Sequence, residues 1–180
     1  MNNGDDLGTV LWVSGCEHCC KECQNPITWN PDNGILFTKA EYDEFFNYIS
    51  KEFIHRVTFS GGDPLYPTNR EEIGSLIRKI KEKWPEKKIW IYTGYTLVDT
   101  FKFMSKNGTC FEFPELKLVD IVVDGTFNCE QRKEDIAAGT FVPWRGSSNQ
   151  RVIDVQKTLC EGKIFIREYD RTGNVTIKED

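Results

Sequence analysis

Along this chain, short runs of β-branched and aromatic residues alternate with stretches whose apolar positions recur every three or four residues. Residues 9–14 (TVLWVS) read as a buried strand. Thr38 opens a capping-box pattern closed by Glu41. Tyr42, Phe45, Phe46 and Ile49 then follow at i, i+3, i+4 and i+7, which predicts a helix with one apolar stripe. Residues 56–60 (RVTFS) predict a second strand, ending in Gly61-Gly62-Asp63-Pro64. A second helix starts at Asn69, with Glu72 three residues on; Ile73, Leu76, Ile77, Ile80 and Trp84 mark its apolar face and Pro85 stops it. Residues 88–93 (KIWIYT) make a third strand, a shorter helix over 97–105 follows, and residues 120–124 (DIVVD) and 151–155 supply a fourth and a fifth strand. Ile164 and Ile166, then Val175 and Ile177, alternate around residues 170–173 (DRTG), the pattern of a β-hairpin covering a sheet edge.

Strands that alternate with helices argue for parallel pairing, because parallel neighbours need a crossover and the helix supplies it. A closed eight-unit barrel usually takes about 200–250 residues, and this chain has 180. The expected fold is therefore α/β: an open, partial (β/α) barrel of parallel strands with a C-terminal hairpin extension. No repeat or linker divides the chain, so one domain is expected over residues 1–180, its core at about 9–155 and the extension at about 156–180. Polar, glycine-bearing segments follow the strands at 15–23, 61–64, 93–95 and 124–125. In parallel α/β sheets that end of the strands holds the ligand.

Charge narrows the partners. With 23 Lys+Arg against 28 Asp+Glu the net charge is −5, and a mixed, acidic chain has no general attraction for nucleic acid or an anionic membrane surface. No apolar run approaches the roughly 18 to 20 residues of a membrane span, and Asp5 and Asp6 stand where a signal peptide is positive. A cytoplasmic location is the expectation, and there thiols stay reduced.

That compartment decides how the seven cysteines read. Cys16, Cys19, Cys20 and Cys23 fall within eight consecutive residues, the mark of a metal or redox site rather than a disulfide framework. Cys110, Cys129 and Cys160 are scattered and read as small buried hydrophobes. Structural zinc draws ligand pairs from separated knuckles, and adjacent Cys19 and Cys20 cannot easily both turn inward. Dropping one leaves either Cys16, Cys20 and Cys23 or Cys16, Cys19 and Cys23. Three thiolates on a four-iron cluster leave one iron without a protein ligand, and an open metal position is what a catalytic site keeps for its substrate. A non-catalytic zinc or iron–sulfur module using the clustered cysteines, with His18 as a further ligand in the zinc case, is the rival reading.

The segment Val13-Ser-Gly-Cys16-x3-Cys20-x2-Cys23, followed by Asn25-Pro26-x-Thr28-Trp29, resembles the cysteine loop of the radical S-adenosylmethionine (SAM) activases, and among them those that activate anaerobic ribonucleoside-triphosphate reductase. Four further blocks match in the same order: Ser60-Gly-Gly-Asp-Pro64-Leu-Tyr-Pro67, Trp90-x2-Thr93-Gly94-Tyr95, Asp120-x3-Asp124-Gly125 and Trp144-Arg-Gly-Ser-Ser-Asn-Gln150. Together they cover about residues 10–151. Asp5-Asp-Leu-Gly-Thr9 stands where the family commonly has Gly-x-Gly-x-Arg, and both Cys19 and Glu22 depart from its pattern.

The resemblance implies a barrel of radical SAM type. It implies that Cys16, Cys20 and Cys23 ligate a [4Fe-4S] cluster, with Cys19 a bystander. SAM is then the second cofactor, its amino and carboxylate groups on the open iron. Gly61 and Gly62 lie along the SAM amino group, Asp63 adds an acceptor, and Glu22, Gln24, Thr93, Asp124 and Asn149 complete the cofactor contacts. Arg145 is a candidate for bidentate pairing with a carboxylate. The chemistry belongs to the cofactors, so no general acid or base is assigned. The implied partners are the large subunit of anaerobic ribonucleoside-triphosphate reductase, with its glycyl radical domain, and a low-potential electron donor. Activation of another glycyl radical enzyme is the nearest alternative.

Overall fold

The computed structural model describes residues 4–180, so the first three positions of the domain expected over 1–180 lie outside the described residues. The chain runs through β1 (Gly8–Val13), α1 (Lys39–Ile49), β2 (Arg56–Gly61), α2 (Arg70–Lys83), β3 (Lys88–Tyr92), β4 (Thr96–Asp99), β5 (Lys102–Met104), β6 (Cys110–Glu112), β7 (Ile121–Asp124), α3 (Cys129–Ala137), β8 (Arg151–Asp154), α4 (Val155–Glu161), β9 (Phe165–Tyr169) and β10 (Val175–Glu179). Seven strands form one sheet in the order β1-β2-β3-β7-β8-β9-β10, while β4, β5 and β6 form a small antiparallel sheet of their own.

The first half follows the sequence pattern. At the head of α1, the Thr38 hydroxyl accepts from the Ala40 N–H while Glu41 accepts from the Thr38 N–H, the reciprocal capping box. Its stripe of Phe45, Phe46 and Ile49 is buried with Ile73, Leu76, Ile77 and Ile80 of α2. Strand periodicity then sorts side chains to two faces. Val57, Phe59, Ile89 and Ile91 enter the large core beneath α1 and α2, whereas Trp90 joins Ile121, Val123 and Val152 in a second cluster on the opposite face, with Tyr92, Trp144 and Tyr169 packed on it. Asn69 does not cap α2 with its side chain. Its amide instead donates to Ser14 O at 2.8 Å and Asp63 O at 2.9 Å, joining the ends of β1 and β2.

The parallel barrel is not what forms. β1, β2, β3 and β7 are parallel, but β7–β8, β8–β9 and β9–β10 are antiparallel, so the sheet is mixed and no barrel of parallel strands is built. The reason lies in α3. Its sequence, CEQRKEDIA, buries only Cys129 and Asp135, and its one aliphatic residue larger than alanine, Ile136, is 64% exposed. A helix without an apolar stripe cannot pack across a sheet as a crossover, and the chain re-enters at the end it left, pairing Asp124 with Arg151. The helix expected over 97–105 is also replaced. Leu97 and Phe103 are buried and paired across β4 and β5, an alternation that suits a strand. The expected fifth strand is β8, and the hairpin is β9–β10 at the far edge of the sheet. No helix of the described residues is long and apolar enough to cross a membrane.

Candidate metal centre and cofactor pocket

The cysteine loop leaves β1 at the C-terminal ends of β1, β2 and β3. Its root is sewn to the protein by Gly15 N–H to Thr28 O at 2.8 Å and Cys16 N–H to Trp29 O at 3.0 Å. Cys19 and Glu22 take left-handed backbone conformations, φ +45° and +57°, costly for residues with a Cβ and a sign of a tightly folded loop. The result separates the thiols: Cys16, Cys20 and Cys23 are half-buried and Cys19 is exposed.

Burial pushes the Cys16 thiol up to about 12 and raises Cys20 as well; the neighbouring Cys20 and Cys23 add to the rise at Cys16. Such thiols ionise when a metal replaces the proton. Soft thiolate donors of this kind suit zinc or an iron–sulfur cluster. The Asn25 N–H lies 3.4 Å from Cys23 Sγ, and the Phe127 N–H lowers the Cys20 pKa. Amide hydrogen bonds to sulfur tune the potential of an iron–sulfur centre.

Beside Cys20 and Cys23 opens a pocket of about 390 Å³, within the range of cofactor sites. Gln24, Asn25 and Ser60 line it with Trp12, Tyr92, Phe127 and Trp144, and Arg132 and Arg145 supply positive charge. No carboxylate lines it. The Tyr92 hydroxyl, Trp144 Nε1 and Arg145 Nε are buried without a hydrogen-bond partner, in a protein where such groups are normally satisfied.

Of the residues expected to contact SAM, Gln24 alone lines this pocket. Gly61 and Gly62 meet the protein's own backbone: a Cβ on Gly61 would lie 2.7 Å from Val13 N and O, and one on Gly62 2.6 Å from Gly15 O. Their missing side chains let β2 close on the cysteine loop. Asp63, 1% exposed, accepts from four donors: Leu65 N–H at 2.8 Å, the Thr93 hydroxyl at 2.9 Å, Gly94 N–H at 2.8 Å and His18 Nε2 at 2.7 Å. A carboxylate only accepts, so His18 carries its proton on Nε2. That bond, with Tyr95 O–H to Glu17 at 2.9 Å and Lys106 Nζ to His18 O at 2.9 Å, fastens the loop to the sheet. Asp63 and Thr93 thus face the chain itself.

Asp124 is likewise enclosed, accepting from Leu97 N–H at 2.8 Å and from the Arg151 guanidinium. Burial works against the charge on Arg151, but Asp124 and Asp180 more than offset it and hold its pKa above the usual value. Asn149 is exposed, with its amide on Thr126 O at 2.9 Å, and Glu22 is exposed in an ion pair with Lys133 at 2.9 Å. Sequence pattern did not single out the wall residues Trp12, Ser60 and Tyr92. The alternation that sends Val57 and Phe59 to the core was their signal, since it sends the even-numbered neighbours to the other face.

Comparison with known proteins favours the iron–sulfur cluster. A protein-family model described as a 4Fe-4S single cluster domain matches residues 2–153. The chain is similar to proteins named anaerobic ribonucleoside-triphosphate reductase-activating protein. It is 40% identical to that of Enterobacteria phage T4 over 83% of this chain and 85% of the relative, 36% to that of Escherichia coli K12 over 83% and 90%, and 35% to that of Haemophilus influenzae over 82% and 88%. No solved structure matches. Identity at this level across most of both chains makes this protein a member of the anaerobic ribonucleoside-triphosphate reductase-activating protein family.

Proposed function

We propose that this chain is a radical SAM activase that holds a [4Fe-4S] cluster through Cys16, Cys20 and Cys23 and binds SAM in the adjoining pocket. Its substrate is a glycine of the large subunit of anaerobic ribonucleoside-triphosphate reductase, on which it generates a glycyl radical. A low-potential donor supplies the electron, and the seven unpaired cysteines suit a reducing cytoplasm. The observation that carries the reading is the pocket itself: two of the three cysteines at one end, with Gln24 and Asn25 beside them, and Arg132 and Arg145 among the aromatic rings of Trp12, Tyr92, Phe127 and Trp144.

The chemistry such a cluster supplies when bound is one-electron reduction of a sulfonium, which splits SAM into methionine and a 5′-deoxyadenosyl radical able to take a hydrogen from glycine. The chain's own part is binding and exclusion. Trp12, Tyr92, Phe127 and Trp144 give an apolar wall that keeps water from a reactive species. Arg132 and Arg145 supply positive charge for the acceptor groups of the nucleotide, and Gln24 lines the pocket from the cysteine loop. Gly61, Gly62, Asp63 and Thr93 act at one remove, holding the loop against the sheet. Asp124 orders the Leu97 turn through Arg151, and Glu22 and Asn149 tie neighbouring loops.

Anaerobic reconstitution tests this. About four irons per chain, 5′-deoxyadenosine from SAM after reduction, and a glycyl radical signal on added reductase are the expected results. A single zinc per chain with no 5′-deoxyadenosine would overturn it in favour of a metal-binding module.

A further inference from the structure

Strand β1 ends the seven-stranded sheet and pairs only with β2 among the described residues. Val13 O accepts from Gly62 N–H at 2.7 Å and Leu7 O from His55 N–H at 2.9 Å, so the odd-numbered residues of β1 face β2. Backbone groups alternate sides along a strand, which turns the N–H and C=O of Gly8, Val10 and Trp12 away from the sheet. An open edge of this kind is normally short, charged or covered. Here every residue of β1 is at least partly exposed, and Trp12 is 48% exposed.

A groove of about 830 Å³ runs along that edge, between β1, the segment 31–37, α1 and the start of α2. Its lip carries Ile35 and Leu36, 89% and 79% exposed, and Tyr48. Asp32, Glu41, Glu44 and Glu72 line it, and no Lys or Arg does. An apolar trough, an acidic rim and a free strand edge lie together.

We propose that this edge receives an extended segment of a partner protein, basic residues alternating with apolar ones, which adds to the sheet beside β1. The free amides and carbonyls supply main-chain pairing, alternate side chains enter the trough, and the others meet the carboxylates. A second copy of this chain is the poorer occupant, because isologous pairing at this edge sets the same four carboxylates against one another. The groove shares Trp12 with the cofactor pocket, and the rest of its lining is separate.

The probe is a synthetic peptide of about ten residues alternating Lys and Val, compared with its Glu-Val counterpart. The Lys-Val peptide is expected to bind saturably, more weakly as salt rises, and to protect the Val10 and Trp12 amides from hydrogen exchange. The Glu-Val peptide is expected not to bind. Glu44→Lys with Glu72→Lys should weaken binding by about tenfold or more, whereas the same charge change at Glu112 and Glu161, exposed and outside the groove, should weaken it by less than about twofold. Val10→Pro removes one outward N–H at a position where an edge strand tolerates proline, and should abolish binding. Equal binding of both peptides, equal effects of the two charge pairs, or unprotected Val10 and Trp12 amides would each overturn the proposal. So would a dimer in sedimentation that protects those amides without peptide, which assigns the edge to a second copy. Should Val10→Pro fail to fold, the charge pairs and the exchange pattern decide alone.

Discussion

A methyl group added at Gly94 would lie 2.3 Å from Cδ2 of His18, inside the ring whose Nε2 holds Asp63. Gly94→Ala should therefore cost about 1–3 kcal/mol by overpacking a buried site, read from denaturant unfolding. Adding His18→Ala should recover part of that loss, because the clash is with the imidazole; additive losses would show that the glycine acts elsewhere. The thiols make a second residue-scale case. Cys19 is exposed while Cys16, Cys20 and Cys23 are half-buried, so Cys19→Ala should leave the iron content of reconstituted protein unchanged and Cys23→Ala should lower it sharply. The choice between Cys19 and Cys20 was open in the spacing. Burial separates them, because the left-handed turn at Cys19 carries its side chain outward.

Among the elements, the β9–β10 hairpin has a turn whose stability depends on one carboxylate. Asp170 accepts from the Thr172 hydroxyl and N–H and from the Asn174 N–H and amide, and these bonds lower its pKa from 3.8 to about 2. A depressed folded pKa means stability that is present above the unfolded value and lost as pH falls through the folded one. Local opening of residues 165–179, followed by amide hydrogen exchange, should rise as pH drops from about 4 to about 2, and Asp170→Asn should remove that dependence. The hairpin was legible from alternation of Ile164, Ile166, Val175 and Ile177 about a glycine turn. The small sheet β4–β6 was not, because its strands run only three or four residues each, too few for Leu97 and Phe103 to show an alternation. Their burial against the large core decides it.

For the whole molecule, the cysteine loop is held by contacts internal to the chain: His18 to Asp63, Glu17 to Tyr95, Lys106 to His18 O, and the backbone pairs at Gly15 and Cys16. Small zinc modules that lack such support unfold when the metal leaves. Here two side-chain clusters fill the faces of the sheet without any metal. Iron-free protein should keep its far-UV circular dichroism and a cooperative denaturant transition, while losing cluster absorbance. Collapse of the helical and strand signal on iron removal would show that the metal organises the fold.

Local pattern was enough to determine the strand–helix–strand start, the capped helix at Thr38, the terminal hairpin and the cysteine loop, because each rests on residues adjacent in sequence. Family membership was legible as well, from short blocks in fixed order. Tertiary structure alone decided the mixed sheet, since the direction of β8 depends on whether α3 can cover the sheet, and its polar surface forbids that. It also decided which polar residues are engaged within the chain. Asp63, Thr93 and Asp124 sit at strand ends where ligands bind, yet their oxygens are taken by donors that are distant in sequence. Trp144 and Arg145 reach the pocket from beyond α3. A hydrogen-bonding group's availability depends on what folds against it, which spacing along a chain does not encode.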